Sequence, residues 1–61
     1  MEKTYYKILK AYESKGEFHI NFEFSDDLDG FFMASAIVGT TEENAWAGLN
    51  DFLGTNSQQI K

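Results

Sequence analysis

The chain has 61 residues and a formal net charge of −5 at pH 7, from five lysines and ten acids. From Gly16 to Ile60 there is no lysine or arginine against eight acids (Glu17, Glu23, Asp26, Asp27, Asp29, Glu42, Glu43 and Asp51), which excludes a phosphate-backbone binder, because most of this surface repels one. With no cysteine and a single histidine, neither a disulfide nor a zinc site can staple the fold; a domain of this size buries only about 60% of its unfolded surface and must rely on its ten aromatic side chains.

In chain order, Thr4 to Glu13 is rich in tyrosine and aliphatic residues and reads as a first strand. Ser14-Lys15-Gly16 reads as a three-residue hairpin turn, with glycine where a left-handed residue is needed. Phe18, Ile20, Phe22 and Phe24 then alternate with Glu17, His19, Asn21, Glu23 and Ser25, a strict period of two that marks a strand with one apolar and one wet face. A three-residue loop sets Glu13 against Glu17 and places Tyr12, Ile8 and Tyr6 opposite Phe18, Phe22 and Phe24, with Lys7 opposite Glu23. A four-residue loop sets Ile8 against Glu23 and wastes apolar area, so the first register is preferred.

Ser25 to Gly30 is a turn by composition, and Phe31 to Val38 is a third strand, apolar on both faces apart from Ser35. Such a strand is usually central or doubly covered. One helix covers only one face, so the pattern predicts an apolar patch on the other, open to a partner or a second copy. Thr40 or Thr41 caps a helix, paired with Glu43 or Asn44 at the capping-box offset, and Glu42 and Glu43 suit its positive end. Ala45, Trp46, Leu49, Phe52 and Leu53 recur at helical spacing, Gly48 permits close approach to the sheet, and Gly54 ends the helix. Residues 55–61 read as a polar, frayed tail unless Gln58 to Ile60 add a short edge strand. The expected fold is α+β: one domain over 1–61, a three-stranded antiparallel β-meander with one C-terminal helix packed on one face (β-β-β-α).

No residue set proposes catalysis, a cofactor or a metal. Reading Ser25, Asp27 and Asp29 as the first ligands of a calcium loop puts Ala36 where a bidentate glutamate is required, so Asp26, Asp27 and Asp29 read as a solvated turn or an acidic contact patch. His19 lies on the wet face with no nucleophile or second ligand in view. Trp46 reads as core. Tyr5, Leu9 and Ala11 fall on the face opposite the core beside Lys7, a tyrosine-bearing surface of the kind enriched at interfaces. The start has no apolar signal region and no run reaches the ~18 residues of a membrane span; with the lack of cysteine this predicts a soluble, cytoplasmic protein.

Asp27-Leu28-Asp29-Gly30 after the second strand, and Gly39-Thr40-Thr41-Glu42-Glu43-Asn44-Ala45 at the helix start, resemble two motifs of the HicB-like antitoxin domain, Asp-Leu-Pro-Gly and Gly-x-Thr-x-Glu-Glu-Ala. Asp29 stands for the proline and Asn44 for the second glutamate; the likeness spans about residues 4 to 53. The resemblance implies a partner-binding module that neutralises a toxin-like nuclease. Short, acidic, cysteine-free chains are also similar to phage inhibitors that occlude a host nucleic-acid-binding protein. The expectation is therefore a non-enzymatic protein-binding module, its contacts made by Tyr5, Lys7, Leu9, Asp26, Asp27 and Asp29. The competing expectation is an assembly protein whose apolar sheet face forms a homodimer.

Overall fold

The alternating segment is the centre of the molecule. In the computed structural model, which describes residues 3–60, it forms β2 (Glu17–Ser25), flanked by β1 (Thr4–Ser14) and β3 (Met33–Gly39) in antiparallel pairing. One helix, α1 (Glu42–Leu53), follows, and then a short strand, β4 (Ser57–Gln59). Met1 and Glu2, within the start read as lacking an apolar signal region, and Lys61, within the expected tail, lie outside the described residues.

The fold is α+β as expected, but the sheet has four strands in the order β3-β2-β1-β4 and is mixed rather than a purely antiparallel meander. β4 pairs parallel with β1, Thr4 facing Ser57 and Tyr6 facing Gln59. Its direction follows from the meander: β1 and β3 run the same way, α1 carries the chain back along the sheet, and the next strand must repeat the direction of β3. Flanking bonds hold it, Thr4 N–H to the Asn56 carbonyl at 2.9 Å and Ile60 N–H to the Tyr6 carbonyl at 2.8 Å. The tail segment thus takes the edge-strand form.

The hairpin departs from the expected register in an informative way. Its loop is Lys15-Gly16, two residues with φ of 54° and 79°, and Ser14 faces Glu17. Positive φ at both positions is the backbone of the turn whose twist matches paired strands. Carried inward unchanged, that pairing would set Ile8 against Glu23. It does not, because β1 holds one extra residue: a β-bulge between Ile8 and Lys10 shifts the register by one, so Ile8 faces Phe22, Lys7 faces Glu23 and Tyr6 faces Phe24. The expected core pairs hold on one side of Leu9. On the other side Tyr12 faces His19 rather than Phe18, Glu13 faces Phe18 rather than Glu17, and Ala11 moves to the helix side, opposite Ile20.

Helix α1 packs on β2 and β3. Ile20, Phe22 and Ala45 are fully buried, with Leu49 and Leu53 nearly so, and Tyr6, Ile8, Phe18, Phe24, Ile37 and Trp46 pack around them. Phe52 stands half exposed yet sets its ring edge-on against Phe22 at 5.6 Å and Phe24 at 5.1 Å between centroids. Trp46, expected in the core, is at its margin, tilted on Phe18 at 6.3 Å with its indole N–H donating to Glu42 at 3.4 Å. Of the two expected caps Thr41 is the one used, its hydroxyl accepting from Asn44 N–H at 3.0 Å, while the Asn44 side chain donates to Thr40 at 2.9 Å. Gly54 closes the helix at φ 83°. Close approach is real at Gly48, where a Cβ would meet Ile37 Cγ2 at 3.3 Å.

β3 begins two residues later than expected and is an edge strand, the place a third strand takes in the expected meander. The apolar patch expected on its second face is present: among the described residues nothing covers Ala34, Ala36 and Val38 there, and α1 covers only part of the inner side, leaving Met33 58% exposed.

Candidate partner-binding surface

Pairing and pleat place Tyr5, Lys7, Lys10 and Tyr12 of β1, His19, Asn21 and Glu23 of β2, and Ala34, Ala36 and Val38 of β3 on the sheet face away from the helix. Lys7 lies 3.9 Å from Glu23 and 5.9 Å from the centroid of the Phe32 ring, so its charge is shared between a carboxylate and an aromatic face. The pair is partly solvated and contributes under about 1 kcal/mol. Leu9 is 51% exposed because it is the extra residue at the bulge.

A second aromatic cluster on this face was not legible in the sequence. Tyr12 stacks on His19 with centroids 5.0 Å apart and planes 8° off parallel, and Lys10 Nζ lies 4.8 Å from the Tyr12 centroid. Glu17 stands 3.8 Å from His19 Nε2. The bulge creates the cluster by turning Tyr12 away from the core. The only advance signal was a two-residue Lys-Gly turn, which conflicts with the core pairing unless β1 carries an extra residue.

The acidic turn sits at the end of β2, next to Tyr5, whose partner across the hairpin is Ser25. Ser25 is buried and its hydroxyl accepts from Asp27 N–H at 3.1 Å and donates to the Asp27 carbonyl at 2.8 Å. Asp27 Oδ1 accepts from Asp29 N–H at 3.1 Å, and Gly30 N–H donates to the Asp27 carbonyl at 2.9 Å. Asp27 thus organises the turn, while the carboxylates of Asp26, Asp27 and Asp29 remain exposed. Among the described residues no group of three or more potential metal ligands converges.

At the opposite end of β2, about 26 Å away at ~3.3 Å per residue, lies an open cleft of about 310 Å³ between the hairpin tip and the helix start. Phe18, Thr40 and Thr41 line it together with Glu13, Glu17 and Glu42. Each end of β2 therefore carries three acids, with Lys15 at the hairpin tip beside the second set and Lys7 and Lys10 between the two. Of the sequence-assigned contact residues, Tyr5 and Lys7 share a face next to the acidic turn, and Leu9 lies farther along β1 at the bulge. No helix among the described residues is long and apolar enough to cross a membrane.

Comparison with known proteins finds no match: no family model fits the chain, and no curated protein or solved structure is significantly similar to it.

Proposed function

We propose that this chain is a small acidic protein-binding module, antitoxin-like or inhibitor-like, that occludes a basic, nucleic-acid-acting protein and catalyses no reaction. The observation that carries the reading is the anionic turn of Asp26, Asp27 and Asp29 beside Tyr5 and Lys7. Bonds within the turn order its backbone and anchor the Asp27 carboxylate, so the three acids are clustered at one end of the sheet with exposed charge to meet a cation. The Glu13, Glu17 and Glu42 cleft adds a second set of acids, and a basic surface meeting both would be steered electrostatically. The face between the two sets offers Tyr5 and Tyr12, whose stiff, amphipathic rings suit an interface core.

Immobilised chain exposed to host lysate, followed by a salt gradient and mass spectrometry, tests this reading. Basic proteins should be retained, and D26N/D27N/D29N should release them at lower salt, because the Asn side chains keep the turn bonds and lose only charge. Retention indifferent to both salt and this variant would sink the proposal. The competing assembly reading, a homodimer through the apolar sheet face, draws on a different element, the exposed Ala34, Ala36 and Val38 of β3.

A further inference from the structure

We propose that the free edge of β3 is a self-association seam, pairing antiparallel with β3 of a second copy about a two-fold axis at Ala36. This surface is separate from the acidic turn and does not rest on the partner reading.

The two edges of the sheet are managed in opposite ways. β4 closes one with three polar residues. β3 closes the other with seven, Met33-Ala34-Ser35-Ala36-Ile37-Val38-Gly39, paired without a bulge along β2 and with no other strand among the described residues on its far side. Edge strands are normally blunted by lysine, proline, an inward charge or a bulge, and this one has none of them.

Charge and size select a second copy as the occupant. From Gly30 to Thr41 the chain carries no charged residue, so identical strands meet without repulsion along the seam, whereas a basic strand would find no carboxylate there. Only a two-fold axis at Ala36 engages all seven residues. It sets Met33 against Gly39, Ala34 against Val38 and Ser35 against Ile37, each larger side chain beside a smaller one, with Ala36 against itself. The axis stands perpendicular to the sheet, so both helices fall on one face and the exposed Met33 of each copy gains cover. A seam of seven residues a side is short beside the roughly 20–30 of a standard interface, so association is concentration-dependent rather than permanent.

Sedimentation or light scattering up to millimolar chain should show a reversible dimer. A36K and A36E should each be monomeric, and their equimolar mixture should dimerise, since the two new charges meet at the axis. Because the chain has no cysteine, A36C should give a covalent dimer under mild oxidation, and V38C, whose partner is Ala34, far less. The cysteine pair decides the matter if a charged variant fails to unfold cooperatively. The dimer should tighten with salt, because each end of the seam brings Asp26, Asp27 and Asp29 of one copy towards Glu42 and Glu43 of the other; capture of a basic partner weakens with salt. A chain that stays monomeric throughout, or a dimer indifferent to both charged variants, overturns the seam and leaves the partner reading untouched.

Discussion

The two halves of the β1–β2 hairpin obey different masters. From Tyr6 to Ile8 the pairing is dictated by burial: each apolar residue faces Phe24 or Phe22 beneath the helix, and a slip of one would turn both outward. From Leu9 to Ser14 burial lapses, with Leu9, Lys10, Ala11 and Glu13 exposed, and the pairing is dictated by the turn. The two demands differ by one residue, and the bulge at Leu9 absorbs the difference. Where a core is small, turn geometry governs as soon as burial lapses.

Substitution can separate the halves. Phe22→Ala strikes the burial-governed half and should cost about 3–5 kcal/mol, against a total stability of about 3–9 kcal/mol for a chain of this length. Thermal melts should show it largely unfolded, and a cooperative transition near the parent midpoint would refute the core assignment. Deleting Leu9 removes the extra residue, so the burial and turn registers coincide without a bulge: Ile8 should still face Phe22, Lys10 face Asn21 and Ser14 face Glu17. The fold should tolerate the deletion, and hydrogen exchange should stay low from Lys10 to Ser14 as well as at Ile20 to Phe24. Loss of protection at the turn end alone would refute the bulge.

A change in the opposite direction tests the turn itself. Lys15 sits at φ 54°, so Lys15→Asn should stabilise by about 1 kcal/mol, since asparagine tolerates this region and Asn-Gly favours the turn. For a domain of this size that raises the melting midpoint by about 4–8 °C; an unchanged or lower midpoint would argue against the two-residue loop. Smallest of all, Tyr12→Ala should cost about 0.5 kcal/mol through its lost stack on His19. It should also shift the His19 ring proton resonances, and their constancy would count against the stack.

What the sequence made legible follows the same division. The alternation of Phe18, Ile20, Phe22 and Phe24, the Thr41 cap and the Gly54 stop were readable because each is a local pattern with one physical cause. The pairing of Ile8 with Phe22 was readable because burial enforces it. Hidden was the bulge, which arises only when two local preferences collide; the edge strand in the tail was readable only as an alternative to fraying, because its three polar residues carry no periodicity and owe their place to the direction in which α1 returns the chain. Tyr12 went to the wrong face for the first reason. The acidic turn was legible, whereas the second set of acids depends on the hairpin tip meeting the helix start and appears only in three dimensions.

Gly39 has a consequence for how freely the chain can vary. A Cβ there would fall 2.5 Å from the backbone nitrogen of Ala45 and 2.8 Å from its Cα. No rotamer change relieves a collision with main chain, so even alanine would pry the first turn of the helix off the sheet. Mutational drift should therefore be least tolerated at a residue with no side chain to lose, and a saturation library should return glycine alone at position 39 while accepting many residues at its neighbour Val38.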